Sequence, residues 1–172
     1  MGGVRFYVKG TRMIDKGYKN ICQEVRNLNT SYTKVGFPED GTVQPARKKG
    51  SGHEAFSGMS EIAYIASIME YGNDSPVPIP PRPFMKMAFD KNRQELRTVR
   101  EKYLKSVLDN RMTAQRALGL IGEWFAGTIK RTIRDGKFEA NAPYTIAKKG
   151  SDKPLIDTGQ MLNSVQHVEV MR

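Results

Sequence analysis

A run of five prolines divides the chain into two parts, because residues 75–83 read Ser-Pro-Val-Pro-Ile-Pro-Pro-Arg-Pro. Proline has no backbone N–H and disfavours helix in the residue before it, so this run is extended and cannot lie within a helix or a central strand. On either side of it the hydrophobic pattern is regular enough to assign helices and strands. The chain of 172 residues suits a single domain, residues 1–172.

Before the prolines, short alternating segments flank amphipathic ones. Residues 4–9 and 32–37 alternate apolar and polar types, and each predicts a strand. Between them, apolar residues at steps of three and four predict a helix from about Thr11 to Leu28. Another helix is predicted from Ser60 to Gly72, where the glycine ends it.

After the prolines, two long helices are predicted, from Phe84 to about Leu108 and from about Thr113 to Asp135. The second has the broader apolar face and is the best core candidate. Residues 165–171 predict a final strand. The order of elements favours an α+β fold, in which a small antiparallel sheet is packed on one side by three to four helices.

Two segments have no hydrophobic period. Residues 38–58 contain several glycines and the basic run Arg47-Lys48-Lys49, and they predict a long projecting loop or hairpin. Residues 137–156 are predicted to be a second irregular segment. The first segment has too few apolar residues to offset the entropy cost of ordering, so we expect it to become ordered only against the next subunit or an adjoining ring.

Composition excludes several classes of protein. No apolar run is long enough to cross a bilayer, and the N-terminus has no secretory signal, so no membrane contact is expected. A single cysteine, Cys22, makes an intrachain disulfide impossible. One cysteine and two histidines are too few for an ordinary zinc site, so none is predicted. We therefore expect a protein that is cytoplasmic at synthesis and has no metal or cofactor.

The net charge of +10 indicates an affinity for polyanions or acidic protein surfaces. Two groups are candidates for such contacts: Arg47, Lys48 and Lys49 in the projecting segment, and Arg93, Arg97 and Arg100, which recur on one helix face. A solvated face with internal ion pairs is the alternative. The helix shows no aromatic interleaving, so a nucleic-acid contact would involve phosphates and be independent of sequence.

Leu155-Ile156-Asp157-Thr158-Gly159 resembles the active-site signature of aspartic proteases, in which two carboxylates are paired. Gln160 stands where that family has a small residue, and only 13 residues follow Gly159. Asp157 and Gln160 have the spacing of a capping box, which predicts a short helix through Asn163 with Asp157 as its N-cap. The chain is predicted not to be an enzyme.

Two stretches together resemble a family of tailed-bacteriophage proteins described as neck, tail-completion or virion-morphogenesis proteins. Glu70-Tyr71-Gly72, followed by Ile79-Pro80-Pro81-Arg82-Pro83-Phe84, is similar to the family's E-[FY]-G … I-P-x-R-P-F. Lys153-Pro154-Leu155-Ile156-Asp157-Thr158-Gly159-Gln160-Met161 is similar to its K-P-L-I-D-T-G-x-M segment. The resemblance covers roughly residues 60–165, and residues 136–141 are more polar than the family pattern.

The resemblance implies a non-enzymatic virion protein of the head–tail junction. Its copies would form a homo-oligomeric ring that joins the head connector to tail-tube or terminator proteins and surrounds the channel for double-stranded DNA. It would be found in the virion neck and, during assembly, in the host cytoplasm. The alternatives are a tail terminator ring that caps the tail tube, and a free basic DNA-binding protein outside the phage class.

The proline run itself predicts a packing strut. Its prolines lower the entropy lost on ordering, and an aromatic residue follows it at the start of the next helix. We therefore expect Pro80, Arg82, Pro83 and Phe84 to form packing contacts.

Overall fold

Ten helices and strands make up the part of the chain that the computed structural model describes, residues 5–8, 11–15, 17–38, 61–74, 76 and 78–172. They are β1 (Arg5–Val8), β2 (Thr11–Ile14), α1 (Tyr18–Thr30), β3 (Tyr32–Gly36), α2 (Glu61–Tyr71), α3 (Phe84–Leu108), α4 (Ala114–Asp135), α5 (Pro143–Lys149), α6 (Gln160–Asn163) and β4 (Gln166–Val170). The α+β class predicted from the sequence is confirmed.

The sheet that packs against the helices has two strands. β3 and β4 pair antiparallel, from Tyr32 opposite Val170 to Gly36 opposite Gln166. α4 covers one face of this sheet, and α1, α3 and α6 pack on α4 in turn. β1 pairs with β2 in a separate antiparallel hairpin.

Two glycines let α4 lie directly on the sheet. A Cβ atom at Gly122 would be 2.6 Å from Thr33 Oγ1 and 2.9 Å from His167 Cβ. A Cβ atom at Gly119 would collide with the carboxylate of Glu169. Because side chains alternate along a strand, the two valines of β4 point away from α4.

The hydrophobic core lies around the start of α3 and the second half of α4. Phe84 is fully buried there, and its ring meets that of Phe37 edge-on at 6.2 Å. The buried residues of this cluster are Ile62, Ala66, Phe84, Ala88, Ala126, Ile129, Ile133, Met161 and Val165. Phe84 thus occupies the core at the end of the proline run.

Glutamates from neighbouring helices cap both long helices. The buried Glu70 accepts hydrogen bonds from the backbone N–H groups of Met85 (2.9 Å) and Lys86 (3.0 Å) at the start of α3. Glu24 of α1 accepts one from the N–H of Ala114 (2.7 Å) at the start of α4. These carboxylates satisfy N–H groups that have no partner inside their helix, and they complement the helix dipole.

The first helix begins later than predicted. Residues 11–14 form β2, and α1 begins only at Tyr18. The Asp15 carboxylate explains this start, because it accepts hydrogen bonds from the backbone N–H groups of Gly17 and Tyr18. The apolar residues of β2 happen to fit the helical spacing that continues into α1.

The segment predicted to be irregular at 137–156 contains a helix. α5 runs from Pro143 to Lys149. Proline occupies its first turn, where no N–H donor is needed, and Gly150 ends it in the left-handed conformation with φ 69°. The rest of the segment is irregular, as predicted.

Asp157 does not cap α6, so that prediction is wrong. Gly159 occupies the N-cap position with φ 77°, and no side chain accepts a hydrogen bond there. The left-handed glycine turns the chain immediately before Gln160, and it has no side chain that could accept a capping hydrogen bond. α6 does extend through Asn163 as predicted.

The predicted projecting loop, apart from Pro38, lies outside the described residues. Arg47, Lys48 and Lys49 are therefore not placed. Among the helices that the structure describes, none combines the length and apolarity needed to span a bilayer.

Candidate functional site

The buried Arg82 connects the first of the two stretches that carry the phage resemblance to residues 139–141. Its side chain is 4% exposed. Its Nε donates to the carbonyl of Glu139 (2.8 Å), and its Nη2 donates to the carbonyl of Ala140 (3.1 Å) and to Asn141 Oδ1 (3.4 Å). Burial lowers the pKa of Arg82, and the Glu139 carboxylate acts in the opposite direction. The guanidinium still remains charged at neutral pH.

Asn141 extends this connection to the second stretch. Its Nδ2 donates to the carbonyls of Asp152 (3.3 Å) and Lys153 (3.1 Å). A chain of hydrogen bonds therefore runs from Arg82 to the residue that begins Lys-Pro-Leu-Ile-Asp-Thr-Gly. Segments separated by about 70 positions in the sequence form one packed unit.

The other residues of the first stretch also have structural roles. Glu70 caps α3. Gly72 has φ 79°, and a Cβ atom there would lie 2.9 Å from the carbonyl oxygen of Ile79, so a side chain is excluded twice over. Phe84 is in the core. Each of these residues fixes the fold of the segment.

A pocket of ≈ 270 Å³ opens beside this unit, between α2, α5 and the turn that precedes α6. Apolar side chains including Ile62, Met69 and Met161 line it. The exposed Asp157 also lines it and is its only acidic lining residue among those described. An aspartic protease needs a second carboxylate beside the first, and this pocket does not supply one from the described residues.

Arg93, Arg97 and Arg100 line an open groove of ≈ 760 Å³, and the described residues around it all belong to α3. Arg97 Nε lies 2.8 Å from Glu101 Oε1, an exposed ion pair one turn apart. Neither Arg93 nor Arg100 makes an ion pair within the described part of the chain. Four cationic side chains and two carboxylates, Asp90 and Glu101, line the groove, so its described lining has an excess of positive charge.

An aromatic ring lies in the same groove, contrary to the expectation from the sequence. Phe89 lines it and is 43% exposed. Its ring meets Phe125 edge-on at 6.3 Å, and Phe125 stacks on Trp124 at 6.4 Å. Phe89 stands one helical turn before Arg93, so the spacing was visible in the sequence. An apolar residue in an amphipathic helix is typical of the buried face, so the sequence alone did not mark Phe89 as exposed.

A polar crevice between α4 and β4 contains the pair His167 and Glu169, whose Nε2 and Oε1 atoms are 3.4 Å apart. No group of three or more His, Cys, Asp or Glu residues suited to a metal ion occurs within the described ranges. The crevice therefore provides no candidate metal centre from these residues.

The structure places the residues predicted for function in three groups. Pro80, Arg82, Pro83 and Phe84 lead into the start of α3; Arg93, Arg97 and Arg100 share the groove along it; and Asp157 and Gln160 line the apolar pocket. Compared with known proteins, the chain matches no protein-family model, no curated protein and no solved structure.

Proposed function

We propose that this chain is a non-enzymatic structural protein of the neck of a tailed bacteriophage. One copy would occupy each position of a ring that joins the head connector to the tail and surrounds the DNA channel. The observation that carries this proposal is the junction at Arg82, a chain of hydrogen bonds from Arg82 through Asn141 to Lys153, which connects the two stretches that resemble the phage family.

The junction supports a structural role because of what its residues do. The side chains of Glu70 and Arg82 are buried and bond backbone groups. A catalytic carboxylate or cation has to contact a substrate, whereas the side chains of Glu70 and Arg82 already bond groups within the fold. Residues of this kind preserve the fold of their segment. A ring subunit requires such a fixed shape, because it has to fit its neighbours.

The α3 groove supports a position close to DNA or to an acidic partner. Arginines attract phosphate oxygens without reading the bases, which suits a channel through which any sequence passes. The proposed neighbours are the head-connector proteins and the tail-tube or terminator proteins. The protein would act in the virion and pass through the host cytoplasm during assembly.

Immunogold electron microscopy of purified virions tests the proposal, with an antibody raised against this protein. Label at the head–tail junction is the expected result. Label on the head shell, or no label on purified particles, would contradict it. Isolated tails distinguish a neck protein from the alternative, a tail terminator. A terminator ring would remain bound to tails that never joined a head.

A free DNA-binding protein is the second candidate, and the arginines beside Phe89 favour it. Fluorescence anisotropy with a short duplex at several salt concentrations measures this affinity. The neck proposal expects weak binding by single subunits. If the groove binds phosphates, replacing Arg93, Arg97 and Arg100 by glutamine reduces the slope of log K against log salt by about 0.9 for each phosphate that the protein no longer neutralises. Strong binding by single subunits to duplexes of any sequence would favour the second candidate.

A further inference from the structure

The β3–β4 sheet has an unpaired edge on each side. It consists of these two strands, and within the described part of the chain no third strand pairs with either of them. The backbone groups along an open edge are a template for pairing with another strand, and many proteins block such edges with prolines or bulges. Neither strand contains a proline, and the register of the pair runs without a bulge.

One contact shows which backbone groups face outward. Thr33 Oγ1 lies 3.5 Å from the carbonyl oxygen of Val168, so this carbonyl points toward β3. In an antiparallel pair, residues whose backbone groups face the partner alternate with residues whose groups point away. The residues whose N–H and C=O groups point away are therefore Thr33 and Val35 on β3, and His167 and Glu169 on β4. No hydrogen bond within the described residues involves these outward groups.

A second copy of the chain fits both edges at once. The two strands have five residues each and run antiparallel. In a ring, rotation about the axis leaves every β3 running one way and every β4 the other. The β4 strand of one copy therefore meets the β3 strand of the next in the antiparallel orientation as well. A strand from an unrelated protein would fill one edge and leave the other open.

The charges of the two strands favour the pairing of unlike edges. Lys34 of β3 and Glu169 of β4 are their only Lys, Arg, Asp or Glu residues. Pairing the whole of β3 with β3 of a second copy would centre on Lys34 and place it opposite its counterpart, and like charges directly opposite are destabilising. Pairing β4 with β4 would stop at two copies and leave both β3 edges open. Pairing β4 with β3 avoids both results.

We propose that the β4 edge of each copy pairs with the β3 edge of the next, so that the sheets join into one closed antiparallel barrel. This inference rests on the proposed ring and specifies the contact between its subunits. The contact uses two different surfaces of each copy, and head-to-tail contacts of this type generate closed rings when the rotation between subunits is suitable. Closure of the barrel removes every open edge.

The helices lie outside this barrel. The two strands are about 10 Å wide, whereas each helix is about 10 Å across, and α1, α3 and α6 all pack on α4. The wider layer needs the longer circumference, so the face of the sheet opposite α4 lines the channel. That face contains the exposed Lys34, and its strand positions include no carboxylate. Such a face suits a channel for DNA.

Proline at an outward-facing position tests the contact, because it removes the N–H group that the neighbour would use and keeps the hydrogen bonds within the copy. Glu169→Pro blocks the β4 edge, and Thr33→Pro blocks the β3 edge. Each variant alone should self-associate at least about tenfold more weakly than the wild type, as measured by native mass spectrometry over a series of concentrations. Glu169→Ala and Thr33→Ala are the matched controls, since they remove the same side chains, keep the N–H groups and should form rings.

An equimolar mixture of the two proline variants tests whether the contact is head-to-tail. The free β4 edge of Thr33→Pro can pair with the free β3 edge of Glu169→Pro. At concentrations at which the wild type forms rings, the mixture should therefore form 1:1 pairs that do not extend. A mixture without mixed pairs would overturn the proposal. Pairs formed by Thr33→Pro alone would also overturn it, because they would show that β4 pairs with β4.

The outcomes separate the contact from the ring. Proline variants that form rings as the wild type does would overturn the contact and leave the proposed ring standing. Wild-type protein that remains single at every concentration would contradict the ring and the contact together.

Each proline variant must keep the thermal unfolding midpoint of its alanine control. Where one fails this criterion, hydrogen exchange on the wild-type protein decides instead. The amides of His167 and Glu169 should be protected in the ring and unprotected in single subunits obtained by dilution. Equal exchange of these amides in both states would overturn the contact.

Discussion

At the scale of single residues, three buried or half-buried charges connect parts of the chain that are distant in sequence. Arg82 bonds the loop before α5, Glu70 caps α3, and Glu24 caps α4. Charged partners make hydrogen bonds stronger than neutral ones, and removing one side leaves the other unsatisfied. These residues should therefore be much less tolerant of substitution than the exposed charges.

Replacing Arg82 by lysine keeps the charge and removes the planar guanidinium. Lysine cannot reproduce the three hydrogen bonds to residues 139–141, so we expect a loss of about 2–3 kcal/mol in the free energy of unfolding. Urea denaturation measures it. Arg134→Lys is the control, because Arg134 is exposed and bonds only Asp135 among the described residues. That change should cost less than about 0.5 kcal/mol. If Arg82→Lys lost no more free energy of unfolding than Arg134→Lys, the junction would add no stability.

Replacing Glu70 by alanine leaves the first N–H groups of α3 without their acceptor. The expected loss is about 2 kcal/mol, and glutamine, which keeps one oxygen, should lose about half of that. Chemical denaturation followed by circular dichroism gives both values. Glu95→Ala, on the exposed side of the same helix, is the control. A Glu70→Ala variant as stable as this control would show that the cap contributes nothing.

The start of α1 should depend on pH through Asp15. Desolvation acts to raise the pKa of Asp15, but hydrogen bonds from the N–H groups of Gly17, Tyr18 and Lys19 outweigh it and lower the pKa below its ordinary value of 3.8. A pKa lower in the folded state means that the carboxylate stabilises the helix above about pH 4 and loses this effect as the pH falls through the folded pKa.

Helix content measured by circular dichroism between pH 2 and 6 tests this dependence. Asp15→Asn should remove the part of the acid transition that belongs to α1, because asparagine does not titrate. Asp74→Asn, at an exposed aspartate outside any helix, is the control. Identical pH profiles for the wild type and Asp15→Asn would rule out this role for the carboxylate.

At the scale of elements, the long helices and the paired strands β3 and β4 were predictable, because each has a clear hydrophobic period. β2 was not predictable, since four residues are too few to distinguish a strand from the first turn of a helix. α5 was missed although Pro143 and Gly150 are typical of a helix start and end. The burial of Arg82 was beyond prediction from local pattern, because its acceptors lie 57 to 59 positions away.

The contact between α4 and the sheet depends on Gly122. Alanine there would place its Cβ atom 2.6 Å from Thr33 Oγ1, and we expect a loss of about 1–3 kcal/mol from the displaced strand. Gly127→Ala, later in the same helix, meets no atom within 4 Å. It should stabilise the protein by about 0.5–1 kcal/mol through helix propensity alone. Urea denaturation compares the free energies of unfolding of the two variants. If Gly122→Ala stabilised the protein as Gly127→Ala is expected to do, the close approach would not be required.

At the scale of the whole molecule, much apolar surface remains uncovered by the described residues. Tyr18, Phe89 and Tyr144 are among the exposed large hydrophobic residues, and they lie on three different helices. Contiguous apolar patches mark interaction surfaces, whereas single exposed side chains such as these also occur on soluble proteins that act alone. The proposed ring predicts that neighbouring subunits cover some of these side chains.

The ring is the central claim, and electron microscopy of the purified wild-type protein tests it most directly. We predict closed rings of one uniform copy number, each with a central channel wide enough for a DNA duplex. Single subunits of 19.4 kDa at every concentration, or open filaments without closure, would contradict the account.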